Sequence, residues 1–178
     1  SDDQGRFTDL DEQPITALVK LYPWEWIMAE DFGRLVPASG VHFIEPPWKM
    51  ILANKGLLPL LWGMFEGHPN LLPAFFEDDP AAATLAETGR YVHKPMLSRQ
   101  GANIEIVDDG KTLLHTDGPY GDDAHILQGY HPLTEFDGGY PLIGCWMVAS
   151  KAVGLCIRED KTLITGKEAR FVPHVIQG

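Results

Sequence analysis

Two lysines in this chain stand where each can meet an anion. Lys94 lies in residues 91–106, YVHKPMLSRQGANIEI, which reads as a strand, a short turn of small and polar residues, and a second strand. A strand fixes the direction of its lysine. The following Ser98, Arg99, Gln100, Gly101, Ala102 and Asn103 form a loop whose backbone N–H groups can close over phosphate oxygens as a concave nest. Gly101 supplies a backbone conformation that residues with a Cβ avoid. The same stretch also reads as an ordinary β-hairpin with one exposed lysine. Lys55 precedes an apolar helical pattern, where the helix dipole disfavours a cation unless an anion is bound beside it. With HILQGYHPL as a candidate hinge strand, these pieces supply what a nucleotide needs: cations for its phosphates, a lid, and a strand edge for its adenine.

The elements that must position these residues alternate between short strands and short helices. An acidic opening (Asp2, Asp3, Asp9, Asp11, Glu12) runs into a hairpin, GRFTDL, a DEQP turn and ITALVKLY, with Ile15, Ala17, Val19 and Leu21 expected on one apolar face. WEWIMAEDF reads as a short helix and VHFIE as a strand, stopped by Pro46-Pro47. In WKMILANKGLLPLLWGMFEG, Asn54 is a candidate N-cap, Leu57, Leu58, Leu61, Trp62 and Phe65 form a core stripe, and Gly67 is a C-cap. HPNLLPAFFEDDP reads as irregular, and residues 81–87 as a brief helix ended by Gly89. The DDGKT turn predicts a hairpin between NIEIV and TLLHT, and FDGGY a further tight turn. PLIGCWMVAS and AVGLCIRE read as consecutive strands whose continuous apolar runs require burial. The pattern is one α+β domain over residues 1–178, mainly antiparallel sheet with flanking helices.

Composition bounds the function. The chain has 178 residues, a hydrophobic fraction of 44% and 14 basic against 25 acidic residues, a net charge of −11. That balance argues against nucleic acid, which needs a basic face. No apolar run approaches the roughly 20 residues required to cross a bilayer, and no secretory signal pattern is visible, so the expectation is a soluble cytoplasmic protein without a membrane partner. Cys145 and Cys156 lie in apolar runs without metal spacing and are expected as buried thiols. The seven histidines show no metal spacing either.

The words KLYPWEW, FIEPPWKMILANKGLLPLLW, YVHKPMLSRQGANI, ILQGYHPL and GLCIRED…GKEARFVPHVI occur in this order over nearly the whole chain. In them the chain resembles the glutathionylspermidine synthetase family, a branch of the ATP-grasp ligases, and in particular the C-terminal half of stand-alone synthetase-like members. The resemblance implies an ATP-grasp-type lobe of a larger enzyme. It implies an ATP-dependent carboxylate–amine ligase, in which a glutathione-like acid becomes an acyl phosphate and a polyamine or other amine displaces phosphate to give an amide. Such phosphoryl transfer rests on positioning and charge neutralisation.

Carried over by motif, Lys55 and Lys94 contact the nucleotide phosphates and residues 98–103 form the lid, with Ser98, Gly101, Ala102 and Asn103 in the ATP site. Gln128 and Tyr130 lie at the adenine hinge, chiefly through backbone groups. Arg158 stabilises the transferring phosphoryl group, the alternative being a salt bridge with Glu159 or Asp160, and Lys167 is a further contact. The Mg²⁺ that the chemistry needs takes oxygen ligands, which the resemblance places upstream, in an N-terminal half missing here. The 178 residues alone are therefore expected to lack ligase activity. A non-catalytic nucleotide-binding or scaffold domain of the same fold is the alternative.

Overall fold

A computed structural model describes residue 2 and residues 5–176. The chain divides into two compact units, one ending at Asn54 and one beginning at Lys55.

In the first unit, strand β1 (Ala17–Val19) pairs in parallel with β2 (His42–Ile44). Between them lie helix α1 (Trp24–Ala29) and a 3-10 segment (Asp31–Ala38). Trp24, Ile27, Val36 and Phe43 form the buried core, and Trp24 meets Phe43 edge-on with ring centroids 5.1 Å apart. Gly33 permits this packing, because a Cβ there would lie 2.1 Å from the Ile27 carbonyl oxygen. The hairpin expected around DEQP is present as a short turn: Asp9 N–H donates to Gln13 O and Ile15 N–H to Phe7 O. The expected apolar face of β1 is inverted. Leu18 packs against the core while Ala17, Val19 and Leu21 are exposed. Three residues paired along one edge do not sustain the eight-residue alternation that the sequence suggests.

The long helical pattern is broken. After a 3-10 turn (Pro47–Lys49), helix α2 (Met50–Ala53) ends at Asn54, which is its C-cap, with ψ 123°. In the second unit, helix α3 (Leu57–Met64) starts after Gly56. Pro59 falls within its first turn, where a missing N–H costs nothing. Leu57, Leu58, Leu61 and Trp62 are half-buried and Phe65 is exposed, so the stripe is less enclosed than its apolarity predicts.

The second unit is built on a five-stranded antiparallel sheet. Its strands are β3 (Ala74–Phe76), β4 (Tyr91–Pro95), β5 (Glu105–Asp108), β6 (Lys111–His115) and β7 (His125–Gly129), in the order β3-β7-β4-β5-β6. β3 lies inside the stretch read as irregular, and three residues flanked by prolines carry little alternation. Helix α4 (Pro80–Glu87) opens on Asp79, whose carboxylate accepts from Ala81 N–H at 2.8 Å. This is an N-cap, with proline at the first helical position. Asp109 and Gly110, at φ 52° and 69°, make the predicted β5–β6 turn. Ile126 and Pro95 are fully enclosed at the sheet's centre.

A second sheet holds β8 (Tyr140–Val148), β9 (Lys151–Asp160) and β10 (Arg170–Val172), antiparallel in the order β10-β9-β8. Burial of β8 and β9 does not hold. Ile143, Trp146, Met147, Val148 and Val153 are exposed, as is Cys145, and both cysteines are free. The α+β class and the dominance of antiparallel pairing agree with the sequence reading. No helix among the described residues is long and apolar enough to cross a membrane.

Candidate functional site

β4 sets the site's direction. Along a strand, side chains alternate between faces, so Val92 and Lys94 share one face and Tyr91, His93 and Pro95 the other. The register pairs Val92 with Gln128 and Lys94 with Ile126, placing Gln128 diagonally from Lys94 on the same face. There Lys94 Nζ donates to Gln128 Oε1 at 2.6 Å. Burial lowers the Lys94 ammonium from its ordinary 10.5 to about 8, and the like charge of Lys55 adds to the effect. Two ammoniums thus lie within electrostatic reach of one another in a chain of net charge −11.

Lys55 enters the region from the turn before α3. Its backbone N–H donates to Met96 O at 2.9 Å, and its Nζ donates to Ser98 O at 2.7 Å and Ser98 Oγ at 3.0 Å. The start of α3 is thereby tied to the end of β4 and to the first residue of the loop.

The loop has the curvature of a nest. Gln100, Gly101 and Asn103 have φ of 55°, 75° and 54°. Gly101 is required twice over, by its left-handed backbone and because a Cβ would meet Ile164 Cγ2 at 2.6 Å and Thr165 O at 3.1 Å. Its carbonyl accepts from Thr116 Oγ1 at 2.5 Å, and the same hydroxyl accepts from Ile104 N–H at 3.0 Å. Ala102 N–H closes a turn onto Arg99 O at 3.0 Å. Asn103 Oδ1 accepts from Tyr120 N–H at 2.9 Å, so its side chain fastens the following loop.

Arg158, on β9, donates from Nη2 to Gly166 O at 2.8 Å, where the sequence offered a salt bridge to Glu159 or Asp160 as its alternative role. Glu159 is taken by Arg170, and Asp160 accepts from Gly166 N–H at 2.9 Å. Residues 164–166 touch Gly101 on one side and anchor Arg158 on the other. Hydrogen bonds join Lys55 to Ser98 and Lys94 to Gln128, and the two lysines interact electrostatically, while Gly101 and Arg158 meet through residues 164–166.

Two expectations fit the geometry less well. β7 is an inner strand, and Gln128 has register partners on both sides, Ala74 and Val92. Its strand edge is enclosed, and its side chain serves Lys94. Tyr130, just beyond, lies under the Arg90 guanidinium at 5.8 Å, and burial followed by the charge of Asp108 raises its phenol. Lys167 is exposed and pairs with Glu168 at 4.0 Å. Thr116 and residues 164–166 also shape the loop from far along the chain, and no motif of their own marks them in the sequence.

Two neighbouring cations and left-handed backbone at Gln100, Gly101 and Asn103 are groups of the kind that can receive an anion. Comparison with known proteins gives this geometry a setting. The family model described as glutathionylspermidine synthase preATP-grasp matches residues 1–177. A Haemophilus influenzae protein provisionally named acid–amine ligase is 40% identical over 95% of this chain and 44% of its own length. Trypanothione synthetase of Crithidia fasciculata is 30% identical over 95% of this chain and 29% of its own. The bifunctional glutathionylspermidine synthetase/amidase of Escherichia coli is 33% identical over 76% of this chain and 22% of its own. The chain thus spans less than half the length of each of these relatives. With residues 1–177 matched by the family model, the chain belongs to the glutathionylspermidine synthase family.

Proposed function

We propose that residues 1–178 form part of the ATP-grasp domain of an ATP-dependent carboxylate–amine ligase, and that the Lys55–Lys94 region holds the nucleotide's phosphates. The observation that carries this reading is the pair of neighbouring ammoniums, one of them half-buried and met by a neutral amide. Lys94 in particular is met by the Gln128 amide, which orients its charge without neutralising it and so suits it to an anionic ligand. Bound ATP supplies the phosphoryl group that activates a carboxylate for attack by an amine.

In this reading Lys55 and Lys94 neutralise phosphate charge, while the backbone of Ser98, Gly101, Ala102 and Asn103 cradles phosphate oxygens. Ser98 Oγ fixes the Lys55 ammonium. Arg158 stands behind residues 164–166 and assists charge neutralisation from β9. Gln128 orients Lys94, and the adenine contact moves from the enclosed Gln128 backbone to Tyr130 and its neighbours. Lys167 is retained as an outer contact. The acid is glutathione-like and the amine a polyamine or related compound, in keeping with the names of the relatives and with the acidic surface. Mg²⁺ requires oxygen donors. The grouped metal-ligating side chains among the described residues include two histidines, so the Mg²⁺ ligands are assigned to the remainder of a longer enzyme. The setting is cytoplasmic.

The test has two arms. The 178-residue chain is titrated with ATP and followed by thermal shift, with Lys94→Met and Lys55→Met as variants. ATP-dependent stabilisation that both variants remove supports the phosphate assignment, and unchanged stabilisation overturns it. A longer chain that includes the upstream region is then assayed for ATP hydrolysis with thiol peptides and polyamines. Lys94→Ala should abolish turnover, whereas nucleotide binding without phosphate release would favour a scaffold.

A further inference from the structure

The opposite face of the same sheet holds a second group of chemically active side chains. His93 precedes Lys94 and points the other way. The register pairs His93 with Leu127 and Pro95 with His125, so His125 lies diagonally from His93 on that face. Their imidazole rings are stacked, with centroids 4.5 Å apart and planes 18° from parallel. Glu77 immediately follows β3. Its backbone N–H donates to His125 O at 3.2 Å, and its Oε1 lies 3.0 Å from His93 Nε2. One ligand atom from each of the three residues lies within 4.8 Å of the other two.

From this convergence we infer that Glu77, His93 and His125 form a binding site for a divalent transition-metal ion, separate from the phosphate region and independent of the ligase reading. Two imidazoles and one carboxylate are donors suited to Zn²⁺ and its first-row neighbours, and unsuited to Mg²⁺. Tetrahedral bonds of about 2.0–2.1 Å place ligand atoms roughly 3.3 Å apart. Modest side-chain rotations reach that spacing from the present one. Both histidines are half-buried, so their rings are held, while Glu77 is exposed and can swing to close the site. Two cavities adjoin the group. One, of about 310 Å³, is lined by Glu77, Ala82, Tyr91, His93 and Glu105. The other, of about 530 Å³, is lined by Phe76, Glu77, Asp78 and His125. They provide an entry path and room for water or an added ligand at a fourth position. A bound ion would fasten the three neighbouring strands β3, β7 and β4 to one another.

The site is tested on the 178-residue chain by competition of Zn²⁺ against a chromophoric chelator, with Co²⁺ absorption as a reporter of imidazole ligation. One equivalent should bind, and His93→Ala and His125→Ala should each weaken it by roughly tenfold or more. Glu77→Gln, at an exposed position, should weaken it while leaving the circular dichroism unchanged, which separates ligation from folding. His131→Ala, on a histidine beside Pro132 O, should leave binding intact. Absence of Zn²⁺ binding, or binding that survives His93→Ala, His125→Ala and Glu77→Gln, overturns the inference.

Discussion

Lys94 Nζ donates to Gln128 Oε1 at 2.6 Å, a diagonal bond between β4 and β7 in which a cation is met by a neutral amide. Among the described residues no carboxylate lies within ion-pair distance of Lys94. The amide orients the ammonium without neutralising it, leaving its charge available to a ligand. This relationship has a thermodynamic signature.

Lys94 titrates at about 8 in the folded chain against an ordinary 10.5. Below about 8 both states are protonated, and burial of the charge costs stability in full. As pH rises from about 8 to 10.5 the folded state loses its proton first, the unfolded state binds more protons, and stability rises. Lys94→Met lacks this titration. Denaturant unfolding of both proteins across the window should show the wild type gaining on the variant by no more than about 3 kcal/mol. A constant difference would remove burial as the cause.

Gly101→Ala should destabilise the chain by about 2–3 kcal/mol, since it adds a left-handed backbone penalty to a clash with Ile164 and Thr165. Gly110→Ala has a comparable φ of 69° but open space around the new methyl, and should cost about 1 kcal/mol. Equal losses in midpoint would show that the contact with residues 164–165 is unimportant.

Asp79→Ala removes the side-chain acceptor for Ala81 N–H at the start of α4. The expected loss is about 1 kcal/mol by urea denaturation. ATP-induced stabilisation should be unchanged, because α4 packs on the face away from Lys94. A loss of nucleotide response would show coupling between the two faces.

Asp160 carries a prediction at acid pH. Burial alone would raise its carboxyl, but hydrogen bonds from the N–H groups of Gly166, Thr162 and Lys161 and from the Thr162 hydroxyl outweigh it and lower the pKa. A carboxylate depressed on folding stabilises above its unfolded pKa, and that contribution fades as pH falls through the folded value. Asp160→Asn should therefore be less stable at neutral pH and lose less on acidification. Parallel acid-unfolding curves for the two proteins would contradict this.

Local chemistry made part of this structure legible. Asp109-Gly110 announced the β5–β6 hairpin, Asp79-Pro80 lies at the start of α4, and the lysine strand with its small-residue loop emerged from residues 91–106. The remainder depended on pairing. β3 is too short to alternate, and Asn54 resembled an N-cap while ending the preceding helix. The β8–β9 turn is made by Ala149 and Ser150 at φ 47° and 64°, residues that do not advertise such a conformation. The apolar runs of β8 and β9 implied burial that the described residues do not provide. Glu77, His93 and His125 are separated by 16 and 32 positions, and only the strand register brings them together. The enclosed edge at Gln128 follows from the same register.

His93 and Lys94 are one peptide bond apart and chemically insulated by the thickness of a sheet. A point substitution at either position can retune its own side and leave the other alone. Inserting or deleting one residue between Gly89 and His93 would instead turn the ribbon over, sending an imidazole toward Gln128 and an ammonium toward Ala82. β4 is therefore permissive in spelling and strict in count, and length variation in its lead-in is the change that would cost this protein both faces at once.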